Sequence, residues 1–245
     1  MPRLTEKNDI RAILRHDPAW CVFALGDLSP HMFGKTYWFT PDLTLVLHDY
    51  GTCILFAMGT GSIREALGHV AWPVHLQVQR DGLDEVARHA AVTSARLMWR
   101  MVWKGAAAPD IPVSVTRLGA GDLPALVQLY ADGEASGESP DFFYSSMVTN
   151  GVFFGAYEGD ALVAAAGTHL VSREEGAAAV GNIYTRRDRR GRGMGRLVTS
   201  AVVSALSGIE TIGLNVRTDN GAAIHLYESL GFERHCQFYE ALAHK

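Results

Sequence analysis

The sequence predicts a mixed α/β (α+β) fold in which helices pack against a central sheet. Two observations lead to this fold class. Residues 113–242 carry strand-like and helix-like patterns in the order β-α-α-β-β-β-α-β-α-β. Residues 43–103 show a shorter alternation of the same kind. The first half is therefore expected to have a similar but degenerate topology.

The elements of the second half follow from apolar periodicity and turn residues. Asp122 is a suitable N-cap for the first helix, and Glu158-Gly159-Asp160 marks a β-hairpin turn. The sequence predicts helices over 122–130, 141–148, 195–206 and 220–230. It predicts strands over 113–118, 151–157, 161–168, 177–185, 211–217 and 235–242.

The first half has weaker but similar signals. Strands are predicted over 43–47, 52–58, 74–78 and 96–103, with helices over 63–67 and 83–91. Small residues and two prolines over 104–112 have the composition of a linker. We therefore expect two domains, an N-terminal non-catalytic domain over 1–106 and a catalytic domain over 107–245.

Composition excludes several classes of protein. The chain has 245 residues, 48% hydrophobic and 20% charged, with a net charge of −4. That charge argues against a global role in binding nucleic acid or membranes. Three separated cysteines predict neither a disulfide framework nor a metal site. The polar N-terminus and the lack of a long apolar run predict no signal peptide and no membrane span, so we expect a cytoplasmic protein.

The most informative segment is the arginine- and glycine-rich stretch between a predicted strand and a predicted helix, 181–197. Free N–H groups at a helix start and closely approaching glycine backbone form a site for a diphosphate. A P-loop is excluded because Arg196-Leu197 follows Gly195. A Rossmann loop is excluded because its third glycine would be Arg196 or Val198.

The remaining pattern, [RQ]-x-x-G-x-[GA], is met by Arg190, Gly193 and Gly195. It resembles the acyl-CoA pyrophosphate loop of the GNAT acyltransferases, whose mixed central sheet the fold would then share. A solvated basic loop is the alternative interpretation of the same residues. Contact with a nucleic-acid backbone is a further alternative, but the phosphates of CoA account for the positive charge more economically.

A second segment, 215–232, strengthens the resemblance. Asn220, Ala223 and Tyr227 share one helix face at i, i+3 and i+7, and Gly231 suits a C-terminal cap. This segment resembles the GNAT block N-x-x-A-x-x-L-Y-x-x-x-G-F, particularly that of the ribosomal-protein alanine acetyltransferases. The two-part layout is similar to that of the glycine N-acyltransferase-like and FR47-like groups.

The resemblance implies an N-acetyltransferase that uses acetyl-CoA and no metal, acting on a primary amine of a small molecule or peptide. Tyr227 would be the general acid. The backbone of Ile183, Tyr184 and Thr185 would hold the acyl and pantetheine portion, with Asn220 and Ala223 beside the pantetheine arm. The pyrophosphate would bind the loop residues Arg190, Gly191, Arg192, Gly193, Met194, Gly195 and Arg196.

One departure from the family pattern concerns the general base. Asn215 stands where the alanine acetyltransferases carry a glutamate, so the base is unassigned. Glu134, Glu138 and Asp141, in the loop that borders the acceptor pocket in this family, are candidates, as is His169 after the third predicted strand. Each has the alternative of a solvated surface residue. A catalytically silent acyl-CoA-binding or regulatory module is the alternative function.

The N-terminal half has a faint counterpart of the phosphate loop. Gly59-Thr60-Gly61 follows a predicted strand and precedes a predicted helix, but it lacks the arginine of the second half. A simple strand-to-helix turn is the preferred interpretation. We expect this half to be a scaffold that lends one wall to the acceptor pocket.

Overall fold

The computed structural model describes residues 3–49, 51–105 and 115–245. Its helices are α1 Lys7–Leu14, α2 Val22–Gly26, α3 Pro30–Phe33, α4 Ile63–Ala66, α5 Arg80–Ala87, α6 Leu123–Glu134, α7 Ser145–Asn150, α8 Met194–Ala205 and α9 Gly221–Ser229. Its strands are β1 Arg3–Leu4, β2 Thr36–Phe39, β3 Thr44–Asp49, β4 Thr52–Ala57, β5 Val74–Val78, β6 Ala91–Trp103, β7 Thr116–Arg117, β8 Phe154–Glu158, β9 Ala161–Ser172, β10 Ala177–Thr185, β11 Thr211–Arg217 and β12 Phe232–His244.

Packing divides the chain into two compact units. Unit 1 comprises Met1–Arg100, Val216–Asn220 and Arg234–Lys245. Unit 2 comprises Met101–Asn215 and Gly221–Glu233. The domain boundary expected between residues 106 and 107 lies outside the described residues, and the division into two domains there stays a prediction.

Unit 1 has the strand order β1-β2-β3-β4-β5-β12-β6. Its first four strands pair antiparallel, and β5 then pairs parallel to β4 with α4 in the connection. The core packs around Phe39, Val46, Leu55, Leu76 and Val86, all buried. Because these residues alternate along strands or fall on the inner helix face, one side of the sheet is covered.

Unit 2 has the strand order β11-β10-β9-β8-β7. Its first four strands, β7 to β10, also pair antiparallel, and β11 pairs parallel to β10 with α8 in the connection. The two units thus repeat one pattern of pairing, as the coarse rhythm of the sequence predicts. Its core includes Leu126, Leu129, Phe153 and Leu162, which join α6 to the sheet.

Several boundaries differ from the predictions. The helix expected over 141–148 is α7 Ser145–Asn150, and that expected over 83–91 is α5 Arg80–Ala87. The strand expected over 113–118 is β7 Thr116–Arg117, with residues 113 and 114 outside the described ranges. β2 Thr36–Phe39 was not predicted, because its single run of Thr, Tyr, Trp and Phe shows no alternation with polar residues.

Candidate active site

The pairing of β10 with β11 ends before either strand does. Paired residues run from Ala177 with Thr211 to Val180 with Leu214, whereas β10 continues to Thr185. A register shift between Gly181 and Tyr184 marks a bulge against β9, on the other side of β10. A bulge bends its strand and locally interrupts the ladder. The predicted acyl-binding residues, Ile183 to Thr185, therefore lie beyond the part of β10 that pairs with β11.

Asn182 forms the bulge and has a left-handed backbone, with φ of 51°. It is buried, at 4% exposure. The hydroxyl of Tyr130 donates a hydrogen bond to its carbonyl oxygen at 2.8 Å, and its amide Nδ2 lies 3.5 Å from the sulfur of Met147. Burial raises the pKa of Tyr130, which keeps this donor protonated. The bulge is thus held from α6 by a buried tyrosine.

Tyr184 fixes the strand end that follows the bulge. It is 4% exposed, and its hydroxyl donates to Oδ2 of Asp132 at 2.8 Å. The same carboxylate oxygen accepts a hydrogen bond from the backbone N–H of Arg187 at 3.1 Å. That N–H and the Tyr184 hydroxyl lower the pKa of Asp132, so it stays ionised at neutral pH. Asp132 therefore ties α6 to the start of the arginine-rich loop.

The glycine-rich turn presents open backbone at the start of α8. Gly191 and Gly193 have φ of 75° and 77°, and a Cβ built at either would meet nothing within 4 Å. Gly193 is the N-cap of the twelve-residue helix α8. The first N–H groups of a helix have no partner in the preceding turn, and its dipole adds positive charge there. The geometry is that of an anion-binding turn.

Gly195 lets α8 approach its neighbours closely. It is buried, and a Cβ there would lie 3.2 Å from Leu226 on α9 and 3.3 Å from Oγ1 of Thr185 on β10. These separations are shorter than ordinary packing contacts. The hydroxyl of Thr199 also donates to the Gly195 carbonyl at 2.7 Å. A larger side chain at 195 would push the helix start away from the end of β10.

Most of the loop's arginines are neutralised within unit 2. Five of the six between 186 and 196 lie within 4 Å of a carboxylate: Arg186 of Asp188, Arg187 of Asp132, Arg189 of Glu158, Arg190 of Glu138 and Arg192 of Glu158. The Arg187 and Arg192 pairs are the long ones, each at 3.9 Å. Arg196 is exposed and has no ion pair with a described residue. Arg196 thus supplies the loop's available positive charge.

Tyr227 lies on α9, and its side chain is buried at 7% exposure. Its ring packs edge-on to Phe232, with centroids 6.1 Å apart. Burial raises the pKa of its hydroxyl. The hydroxyl makes no hydrogen bond to any residue in the described ranges. Tyr227 is therefore protonated at neutral pH, with a hydroxyl that no described residue engages.

The other two residues of the predicted α9 face differ in exposure. Ala223 is half-buried on α9, one turn before Tyr227. Asn220 directly precedes α9 and is exposed, and its backbone N–H donates to the carbonyl of Arg217 at 3.1 Å. Asn220 belongs to unit 1, whereas Ala223 and Tyr227 belong to unit 2.

The candidate bases have different surroundings. Glu138 pairs with Arg190 and accepts a hydrogen bond from Ser136, and these contacts lower its pKa. Glu134 and Asp141 are exposed, while Asn215 is half-buried. The imidazole of His169 covers Gly181 at the start of the bulge. Glu138 is therefore committed to the loop, and its lowered pKa makes it a weak base.

Sequence reasoning missed the residues that hold the site together: Tyr130, Asp132 and Asn182. The Gly181-Asn182 pair inside a strand pattern is the local signal for a bulge, since both residues tolerate unusual backbone angles. Tyr130 and Asp132 could not be found from local patterns, because their partners lie 52 or more positions away.

The glycine loop of unit 1 has different surroundings from the one in unit 2. A Cβ at Gly59 would lie 2.7 Å from Cβ of Asp42, and one at Gly61 would lie 2.9 Å from Oδ2 of Asp42. The backbone N–H of Gly61 also donates to that carboxylate at 3.3 Å. A carboxylate of the chain itself thus fills this turn and would repel a second anion.

Within the described ranges, no three His, Cys, Asp or Glu side chains are grouped so as to hold a metal ion. None of the helices in those ranges combines the length and apolar character needed to cross a membrane.

The chain is similar in sequence to known acetyltransferases. The model of the acetyltransferase (GNAT) family matches residues 123–232. A ribosomal protein bS18-alanine N-acetyltransferase from Salmonella typhimurium is 33% identical over 49% of this chain and 80% of its own length. A mycothiol acetyltransferase from Geodermatophilus obscurus is 38% identical over 34% of this chain, but the match spans only 29% of that protein.

A solved structure extends the likeness to most of the chain. A GNAT-family protein from Novosphingobium aromaticivorans superimposes with a TM-score of 0.67, covering 91% of this chain and 96% of its own. The two sequences are 19% identical, so the likeness is one of fold.

Proposed function

This chain belongs to the acetyltransferase (GNAT) family, and on that premise we propose that it transfers the acetyl group of acetyl-CoA directly to a primary amine. The observation that carries the proposal is the pairing of two features in unit 2. An open glycine turn begins α8, and α9 carries a buried tyrosine whose hydroxyl bonds none of the described residues. The first suits the anionic end of CoA, and the second suits the leaving thiolate.

Acetyl-CoA fits the turn at 190–196 on two grounds. The positive-φ glycines, Gly191 and Gly193, leave room for phosphate oxygens to approach the backbone N–H groups. Arg196 adds a positive charge, because no described carboxylate pairs with it. Met194 and Gly195 contribute the first N–H groups of α8. Arg190 acts differently in this proposal, as the residue that anchors the turn through Glu138.

The acyl end would lie where β10 and β11 cease to pair. The backbone of Ile183, Tyr184 and Thr185 would hydrogen-bond the pantetheine arm in place of β11. Ala223, in the same unit, would border the same arm. A backbone N–H near Ile183 would donate to the thioester oxygen as negative charge develops on it.

In the proposed reaction, the neutral amine attacks the thioester carbonyl carbon and forms a C–N bond. The tetrahedral intermediate then collapses, and the C–S bond breaks with its electron pair on sulfur. Tyr227 donates its hydroxyl proton to this thiolate, giving free CoA. The nitrogen loses its extra proton to solvent, and Tyr227 recovers one. No protein base is required if the amine arrives neutral.

The acceptor is proposed from the named relatives. One is named as an N-acetyltransferase of alanine in ribosomal protein bS18, and the other is named as a mycothiol acetyltransferase. We propose a primary amine of a peptide N-terminus or a small molecule for this chain. The free thiols of Cys21, Cys53 and Cys236 suit a reducing compartment, so we further propose a cytoplasmic location.

We also propose that the N-terminal half, residues 1–106, is a non-catalytic scaffold and that 107–245 form the catalytic domain. Asp42 supports this, because its carboxylate fills the only counterpart of the anion turn in the described part of unit 1. Titration calorimetry should therefore give one acetyl-CoA per chain. A stoichiometry of two would contradict the scaffold role.

The function is tested by following free thiol release from acetyl-CoA with a panel of amines. The panel holds amino acids, polyamines, aminoglycosides and peptides with free N-termini. Release that depends on one acceptor, together with the acetylated product, would establish the enzyme and its substrate class. Tight acetyl-CoA binding without release for any acceptor would favour the alternative, a catalytically silent acyl-CoA-binding module.

A further inference from the structure

Unit 1 contains a buried arginine surrounded by aromatic rings. Arg100, on β6, has 0% exposure. Its guanidinium carbon lies 4.6 Å from the ring centroid of Phe23, 5.1 Å from that of Phe238 and 5.3 Å from that of Trp20. The rings cover the guanidinium and offer it cation–π attraction, but they accept no conventional hydrogen bonds from its edges.

The polar atoms of this cluster lack partners. Nε, Nη1 and Nη2 of Arg100 are all buried and make no hydrogen bond to a described residue. The indole Nε1 of Trp20, a residue with 2% exposure, is likewise buried and makes no hydrogen bond to a described residue. Buried polar groups are nearly always hydrogen-bonded, and an uncompensated buried charge is strongly destabilising. Two such donor groups side by side therefore indicate a ligand that accepts hydrogen bonds.

The nearest carboxylates do not satisfy Arg100. Asp17 accepts a hydrogen bond from the backbone N–H of Trp20 at 3.0 Å and pairs with Nε2 of His235 at 2.8 Å. Asp17 and Glu240 influence Arg100 only through space. Burial lowers the pKa of Arg100 to about 10, so it stays charged at neutral pH. The thiols of Cys236 and Cys21 also lie near Arg100, but neither accepts a hydrogen bond from it. The guanidinium thus keeps its positive charge with no bonded acceptor among the described residues.

We propose that unit 1 encloses a binding site for one small monovalent anion, which accepts hydrogen bonds from the guanidinium of Arg100 and the indole N–H of Trp20. The occupant is a halide-sized ion, with chloride as the physiological form. A larger anion is disfavoured, because both donor residues are almost fully enclosed. The ion would neutralise the buried charge and so stabilise unit 1 without taking part in acetyl transfer.

The first test measures thermal stability against halide concentration. Chloride or bromide replaces isethionate, an anion too large for the site, at constant ionic strength. Above the dissociation constant, each tenfold increase in halide should raise the Tm of the wild-type protein by about 3–5 °C. A Tm that does not depend on halide would overturn the proposal.

Two variants assign the effect to this cluster. Arg100→Met removes the charge while keeping similar bulk, and its Tm should no longer respond to halide. Trp20→Phe keeps an aromatic ring but removes the indole N–H. This variant should therefore need a higher bromide concentration than the wild type for the same rise in Tm. Arg96→Met, at an exposed arginine of the same strand, is the control and should respond like the wild type. An unchanged halide response in Arg100→Met would contradict the assignment.

A second measurement does not depend on whether the variants fold. Crystals of the wild-type protein grown in bromide should show an anomalous peak within hydrogen-bonding distance of the Arg100 nitrogens. A peak there that chloride displaces would support the site. Well-ordered water with no anomalous signal would show that solvent, and not an anion, satisfies these donors.

Discussion

The guanidinium of Arg190 makes a two-point ion pair with the carboxylate of Glu138, with Nη1 3.0 Å from Oε1 and Nη2 3.1 Å from Oε2. Nε of the same arginine donates to the carbonyl of Thr185 at 3.2 Å. One side chain thus connects the loop after α6, the end of β10 and the glycine turn. Arg190 therefore anchors the glycine turn through its contacts with Glu138 and Thr185.

Replacing Glu138 by Gln should loosen this anchor without removing a catalytic group. An ion pair between partly exposed groups contributes little, about 0.2–1 kcal/mol. We therefore expect the KM for acetyl-CoA to rise by about two- to fivefold, with kcat nearly unchanged. Steady-state kinetics at saturating acceptor would measure both. A large fall in kcat with an unchanged KM would instead identify Glu138 as the base.

Gly193→Ala tests the anion turn with a matched control. The φ of 77° disfavours any side chain, and we expect a loss of about 1 kcal/mol in the free energy of unfolding. Gly208, with φ of 85° and equally open surroundings, should lose a similar amount as Gly208→Ala. Only Gly193→Ala should also raise the Kd for acetyl-CoA, because a shifted turn would cost the phosphates a charge-assisted hydrogen bond. The expected rise in Kd is about tenfold or more. Equal affinities in the two variants would argue that the phosphates bind elsewhere.

Asp27 should make stability depend on pH. Burial raises its pKa to about 7 in the folded state, with a smaller contribution from Asp49, whereas its unfolded pKa is about 4. Between these values the folded state retains a proton that the unfolded state has lost. This group therefore lowers stability as pH rises from about 4 to about 7, after which its effect is constant.

Asp27→Asn should remove this loss of stability between pH 4 and pH 7. At pH 8 the variant should be more stable than the wild type by an amount on the order of a few kcal/mol. Denaturant unfolding at pH 5 and pH 8 would measure the difference. Asp9→Asn, at an exposed carboxylate of α1, is the control and should leave the pH profile unchanged. A variant with the same pH profile as the wild type would show that Asp27 does not ionise in this range.

The sequence predicted the elements that begin and end at strong local signals. The predictions for β5 Val74–Val78, β10 Ala177–Thr185 and β11 Thr211–Arg217 coincide with the observed strands. Each strand begins directly after a proline, a glycine or a charged residue, namely Pro73, Gly176 and Glu210, so strand pattern and boundary residue agree. The helix after the glycine turn, predicted over 195–206, is α8 Met194–Ala205, because the glycines fix where it can start.

The contacts that organise the site were not predictable in the same way. Tyr130, Asp132 and Glu138 hold residues that follow them by 52 or more positions. No local pattern records such a pairing, and the sequence indicated Glu138 only as a candidate base. Arg100 was missed for a related reason. It interrupts a run of apolar residues in β6, but only the fold shows that aromatic rings surround it.

The proposed acetyl transfer depends most directly on Tyr227 as the proton donor. The deciding measurement is a rapid-quench comparison of wild type with Tyr227→Phe. We expect kcat to fall by roughly 10²–10⁴, because a general acid is lost, while the Kd for acetyl-CoA barely moves. Tyr157→Phe, whose hydroxyl bonds Asp122 at 2.9 Å, is the control and should keep wild-type kcat. A near-wild-type kcat in Tyr227→Phe would remove the tyrosine from the mechanism and contradict the proposed route of proton transfer.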